Sequence, residues 1–154
     1  MTTGAAEHPP ATADLLARLA SHRIVCDIPA NEREWLATHG ALRTLQAGTL
    51  VSSPKLGPMN EMYIVFSGRI SFFRDRGGAN RRVIEWESGD ITGFLPFSRM
   101  TIPPGEGWVE EASDVLLVHK DRFPEMIREC PALTAKVLSL CRSADKGVRG
   151  DVLT

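Results

Sequence analysis

The residues with the most chemistry to offer lie between Gly89 and Val109, where Arg99 is the single cation among aromatic residues, prolines and glycines. An arginine presents a planar fork of donors that matches phosphate or carboxylate. Phe94, Phe97 and Trp108 are flat surfaces on which a planar base could stack. Gly93 and Gly105 let backbone come close to a ligand, while Pro96, Pro103 and Pro104 hold a loop in one shape with little entropy to lose. The stretch therefore reads as a pocket lip, with Gly93, Phe94, Leu95, Arg99, Gly105, Glu106 and Trp108 as candidate ligand-binding residues. A plainer reading stands beside it: a surface crossover in which Arg99 pairs with Glu106 and the aromatic residues belong to the core.

Other chemistries find less support. Glu110 and Glu111 are adjacent, and successive residues of a strand point to opposite faces, so they are not expected to act together as acid and base. His8, His22, His39 and His119 are scattered through a tail, helix ends and a strand end with no His-x-His pair, which argues against a metal-dependent barrel enzyme. No catalytic residue, metal site or resident cofactor is expected. Cys26, Cys130 and Cys141 are odd in number and lack Cys-x-x-Cys spacing, and read as reduced thiols used for apolar packing in a cytoplasmic protein.

The formal net charge of −1 spreads acidic and basic residues evenly and leaves no basic stripe for nucleic acid. Arg81-Arg82 reads as the solvated end of a hairpin. No apolar run approaches the roughly 20 residues of a membrane span. A partner is expected to be a small or anionic ligand, a signalling output domain or another protein.

The elements that position these residues follow from periodicity. Residues 1–10 read as a disordered leader, 11–144 as one domain and 145–154 as a flexible tail. Leu15, Leu16 and Leu19 mark a first helix, with Thr12 or Asp14 to cap it. After Pro29 a second helix carries Trp35 and Leu36 inward, with Asn31 and Glu34 as a capping box and Gly40 as a left-handed stop. The period then shortens to that of strands. Met62 to Phe66 is apolar on both faces, Ile70 and Phe72 share one face of the next strand, and Gly77-Gly78 closes a hairpin returning through Arg81 to Trp86. Trp108 to Glu111 and Val115 to His119 read as another strand pair. Asp121 can cap a helix with Phe123, Met126 and Ile127 on its apolar face. Pro131 opens a last helix whose stripe of Leu133, Val137, Leu140 and Cys141 could bury itself on its own sheet or, over residues 132–144, in a homodimer. Short strands with glycine turns, framed by helices, predict a mainly β protein with flanking α-helices, a small β-barrel or jelly roll.

Ala47 to Leu50, Met62 to Ile70, Gly89 to Gly93, and Ala112 to Val118 running into Phe123 resemble the cyclic-nucleotide-binding domain family, the sensor fold of catabolite-activator regulators and kinase regulatory subunits. The resemblance implies a jelly-roll sensor with a phosphate-binding cassette. There a Gly-Glu pair binds the ribose hydroxyl and a later Arg binds the cyclic phosphate. Gly93 matches that Gly, but Phe94 stands where the Glu belongs and Gly105 where the Arg belongs, leaving Arg99 as the nearby cation. A phenyl ring accepts no hydrogen bond from a hydroxyl, and Pro96 lacks an N–H for a phosphate. A cyclic nucleotide is thus disfavoured by Phe94 and Gly105. The run from Gly93 to Cys141 also resembles sensor domains fused to bacterial histidine kinases. With no kinase parts and no room for a DNA-reading helix pair, the expectation is a regulatory sensor with a degenerate cassette that signals through a small ligand or a partner protein. The alternative is an interaction module whose pocket is filled by its own side chains.

Overall fold

The computed structural model describes residues 10–96 and 102–140. Phe97, Arg99, Cys141 and the two terminal segments lie outside them. Two helices, α1 (Pro10–Ser21) and α2 (Ala30–His39), precede eight strands: β1 (Ala41–Leu45), β2 (Leu50–Ser52), β3 (Glu61–Val65), β4 (Arg69–Arg76), β5 (Ala79–Glu87), β6 (Ile91–Gly93), β7 (Glu106–Glu111) and β8 (Ser113–His119). Helices α3 (Phe123–Glu129) and α4 (131–140) follow.

The strands form two antiparallel four-stranded sheets, ordered β1-β8-β3-β6 and β2-β7-β4-β5. This is a jelly roll of two facing sheets, and the four helices cover the outer face of the first. The double-sided strand is explained by period-two alternation. Met62 and Ile64 of β3, with Leu116 and Val118 of β8, join Leu19, Leu36, Met126 and Leu133 in a core between sheet and helices. Val65 and Val115 point the other way and meet Ile70 and Val109 between the sheets. Each fully buried side chain of this size contributes roughly 1.5–3 kcal/mol, so the helix-side core, with many more members, dominates the stability of the fold.

Several local expectations are corrected. Residues 106–111 and 113–119 do not pair with each other: β7 lies between β2 and β4, and β8 between β1 and β3, so the chain changes sheets at Ala112. Asn31 does not cap α2, because the helix already starts at Ala30, where the Pro29 carbonyl accepts the Glu32 and Arg33 amides. Gly40 is extended at φ −87° rather than left-handed; glycine is needed because a Cβ would stand 2.9 Å from the Leu116 side chain. His119, not Asp121, accepts the capping amide, through Nδ1 at 3.1 Å from Asp121 N. Ile127 is exposed, and Cys130 takes its place beside Phe123 and Met126. Cys26 is exposed rather than packed, with its thiol facing the Arg23 carbonyl, while burial pushes the Cys130 thiol up to about 12.

The last helix is tied down from a distance. Glu32, 2% exposed, accepts hydrogen bonds from the amides of Ala132 and Leu133 at 3.2 and 2.8 Å, so a side chain of α2 satisfies the first turn of α4. Lys136 adds an ion pair to Asp27 at 2.9 Å. Leu133 and Val137 are fully buried in the chain's own core, with Leu140 packed against it, as in the first of the two alternatives for this stripe; Cys141 lies outside the described residues.

Candidate functional site

Strand β6 ends at Gly93 with φ +87°, and a Cβ there would lie 2.5 Å from the Glu61 carbonyl oxygen on β3. Only glycine lets the strand edge pass so close before the chain turns. The Phe94 amide still donates to Glu61 O at 2.8 Å, and the chain then dives inward. The Phe94 ring stacks on Phe123 at 5.9 Å between centroids, and Leu95 is buried in the helix-side core. The side chains expected to line a pocket on this side are therefore packed under α3. Pro96, beside them, is buried as well.

The other side of the connection is equally committed. A Cβ on Gly105 would fall 2.1 Å from the Phe73 carbonyl oxygen and 3.1 Å from the Phe72 ring. No side chain, an arginine least of all, can stand there unless β4 and β7 move apart. Trp108 is on the face of β7 opposite buried Val109 and donates through Nε1 to Glu106 at 3.1 Å. Of the seven candidates, Gly93, Phe94 and Leu95 run towards the helices, Gly105 abuts β4, and Glu106 and Trp108 share the outer face of the second sheet. They do not converge on one surface. Arg99, with its proposed pairing to Glu106, lies outside the described residues.

Glu110 and Glu111 do share a partner, against the alternation argument. The register of β4 with β7 slips between Arg69 and Ile70, where Arg69 faces Glu111 and Ile70 faces Val109, so Glu110 is the extra residue of a β-bulge. Arg69 lies 3.5 Å from Glu110 and 3.2 Å from Glu111. Glu110 also accepts from the Ser71 hydroxyl and, at 3.1 Å, from Arg82. These contacts, the Ser71 bond foremost, hold the Glu110 carboxyl below its usual range. An ionised, arginine-paired carboxylate is a poor general acid or base at neutral pH. Arg82 is thus part of an ion network rather than a free hairpin end.

A polar feature that the sequence did not reveal lies at the opposite end of β6. The last turn of α1, the β3–β4 turn and the β5–β6 turn enclose a cleft of about 310 Å³. His22 stands in its wall, 4% exposed. Its Nδ1 accepts the Ile24 amide at 3.1 Å, which places the ring proton of the neutral form on Nε2. Nε2 has no hydrogen-bond partner. The carbonyls of Asp90 and Val65 lie near it but already accept the Val65 and Gly89 amides. Burial depresses the His22 pKa, and those carbonyls offset the effect only in part. Three separate segments build this cleft, so no local motif announces it. Among the described residues, no group of His, Cys, Asp and Glu could hold a metal ion, and no helix is long and apolar enough to cross a membrane.

Comparison with known proteins places this architecture. No family model matches the chain, and no curated sequence does. Solved structures do. A cyclic nucleotide-binding domain from Methylobacillus flagellatus is similar at TM-score 0.69 and 13% identity, over 92% of this chain and 80% of that one. The regulatory subunit of a cAMP-independent protein kinase A from Trypanosoma cruzi, bound to guanosine, gives 0.70 and 18%, over 86% of this chain and 46% of that one. The catabolite activator protein of Thermus thermophilus gives 0.67 and 17%, over 88% and 62%. The chain thus has the cyclic-nucleotide-binding jelly-roll fold, and it spans about half the length of the kinase regulatory subunits it matches.

Proposed function

We propose that this chain is a regulatory domain of the cyclic-nucleotide-binding fold whose cassette has passed from ligand binding to packing. It signals through a different small ligand or through a partner protein. The observation that carries this reading is Gly105, pressed against the Phe73 carbonyl where the family pattern has its phosphate-binding arginine. Phe94, in the place of the ribose-binding glutamate, is stacked on Phe123 and supports the same conclusion. Losing a charge-assisted contact and leaving a hydroxyl unmet together cost about 2.5–6 kcal/mol, roughly two to four orders of magnitude in affinity.

The regulatory class is supported by the company of the fold, which includes kinase regulatory subunits, a catabolite activator and the sensor domain of a transcriptional regulator. The guanosine-bound subunit is a protein of this fold holding a ligand other than a cyclic nucleotide. No nucleophile, base and acid converge among the described residues, so the reading is regulatory rather than catalytic. The resemblance of 93–141 to kinase sensors supports an output domain of that kind, acting from the cytoplasm. A self-filled interaction module is the second reading, favoured by the burial of Leu95 beside Phe94.

Calorimetry with cyclic AMP and cyclic GMP tests the proposal. The expected result is no complex tighter than micromolar. A stoichiometric, submicromolar complex overturns it.

A further inference from the structure

The cleft between α1 and the two turns is built from hydrogen-bond donors. Two arginines, Arg18 and Arg23, face it together with the hydroxyls of Ser21, Ser67 and Ser88, and no carboxylate lines it. We propose that this cleft binds the phosphate group of a small molecule, at a site separate from the Gly93–Trp108 connection.

Both guanidinium groups are held in place beforehand. Arg18 is gripped through Nε by Asp14 at 3.1 Å and through Nη1 by Asp114 at 3.0 Å, and it lies over the Phe66 ring at 5.8 Å. Arg23 is held through Nη2 by Asp90 at 2.6 Å and crosses Gly89, where a Cβ would come 3.0 Å from its Nε. Among the described residues these contacts leave Nη2 of Arg18 and Nε and Nη1 of Arg23 without a carboxylate partner. An arginine fixed from behind loses less entropy when it meets an anion than one that must be ordered on binding.

The three aspartates orient the arginines from outside the lining, and two of them share their charge with other donors. The second oxygen of Asp114 takes the Thr44 hydroxyl at 2.7 Å, and that of Asp90 takes the Glu87 amide at 2.8 Å. Two guanidinium groups stand here against three aspartates and the carbonyl end of α1, so the attraction for an anion comes from the N–H and O–H donors that the ion pairs leave open rather than from net positive charge. A phosphate group accepts several donors in tetrahedral array, and hydroxyls beside two forked cations answer that geometry. At about 310 Å³ the cleft is at the small end of ligand pockets, which suits a small phosphomonoester rather than a dinucleotide.

Inorganic phosphate is the probe, titrated at constant ionic strength while backbone amide shifts are followed by NMR. Saturable shifts centred on Ser67, Ser88 and Gly89 are expected. Arg23→Gln should weaken binding about tenfold or more, and Ser88→Ala, which removes no ion-pair partner, several-fold. Arg99→Ala should leave it unchanged. Absence of saturable shifts, or shifts that persist undiminished in both Arg23→Gln and Ser88→Ala, would overturn the proposal. So would loss of binding in Arg99→Ala, which would put the anion in the cassette connection instead. A cyclic-nucleotide complex that survives Arg23→Gln in calorimetry belongs to the cassette and one lost with it to this cleft, so either proposal can fail without the other.

Discussion

The two glycines that flank β6, Gly89 and Gly93, lie four residues apart, at most roughly 13 Å at about 3.3 Å per residue, and their surroundings have opposite characters. At the Gly93 end the residues next to the turn are spent on packing, Phe94 on Phe123 and Leu95 in the helix-side core, and Gly105 lies against the backbone of β4. At the Gly89 end polar groups are gathered and oriented, and a cleft remains between them. Both ends depend on a glycine with positive φ, at +96° for Gly89 and +87° for Gly93. What differs is the neighbour. Gly93 is closed in by a carbonyl oxygen of β3 at 2.5 Å, which cannot yield without shifting the sheet, whereas Gly89 faces only side-chain atoms of Arg23, at 3.0 and 3.1 Å. One strand can thus carry packed side chains at one end and a polar cleft a short distance away at the other, because binding depends on local donors rather than on architecture.

The largest effect that separates the two ends comes from adding one methyl group to each. Gly93→Ala meets both the left-handed penalty of about 1–2 kcal/mol and a backbone contact, and should cost about 3 kcal/mol or more in urea unfolding. Gly89→Ala should cost only about 1–2 kcal/mol, since its contacts with Arg23, at 3.0 and 3.1 Å, ask for a much smaller shift than the backbone contact at Gly93 does. Equal losses would show that the two ends are not built as differently as the packing indicates.

Next in size is Phe94→Ala, expected to destabilise by about 2–3 kcal/mol, since the ring is part-buried and a fully buried Phe loses somewhat more. A near-neutral result in the same assay would return Phe94 to the surface and reopen the cassette as a pocket.

The smallest effect is a pH dependence confined to the Gly89 end. His22 is held below its ordinary 6.5, chiefly by burial. Above 6.5 it is neutral in both states and contributes nothing to the slope. As pH falls below 6.5 the unfolded chain takes up a proton that the folded protein resists, so stability declines towards the depressed folded value. The charged groups around it are Arg23, which disfavours the cation, and Asp90, which favours it. Urea midpoints between pH 7.5 and 5.5 should fall less in His22→Asn than in the native protein, because an Asn carbonyl can still accept the Ile24 amide without titrating. Identical slopes would remove His22 as the source.

Much of the fold was legible because it rests on period and turn chemistry. The alternation of Met62 to Phe66, the Gly77-Gly78 hairpin and the Leu15/Leu19 face each follow from local geometry and appear where expected. The candidate site was legible only as a stretch of chain. That Phe94 and Gly105 stand where the resembled family has its glutamate and arginine could be read from residue identity, but that Phe94 turns to Phe123 and Trp108 to the outer face could not. An aromatic residue signals burial without saying against what. The bulge that brings Glu110 and Glu111 to one arginine escaped for a related reason: alternation holds only while the register does, and a bulge is set by the pairing of two strands.

The sequence by itself determined the helix-sheet-helix order, the double-sided strands and the Gly77-Gly78 hairpin, all of which depend on side-chain pattern within a few turns or a few strand residues. The tertiary structure alone decided the rest. It paired Glu32 with amides a hundred residues away at the start of α4, sent β7 and β8 into different sheets, and assembled the Arg18, Ser67 and Ser88 cleft from three segments. Each of these is a contact between parts of the chain that carry no local mark of one another, and its energy exists only once the core has closed and removed the water between them.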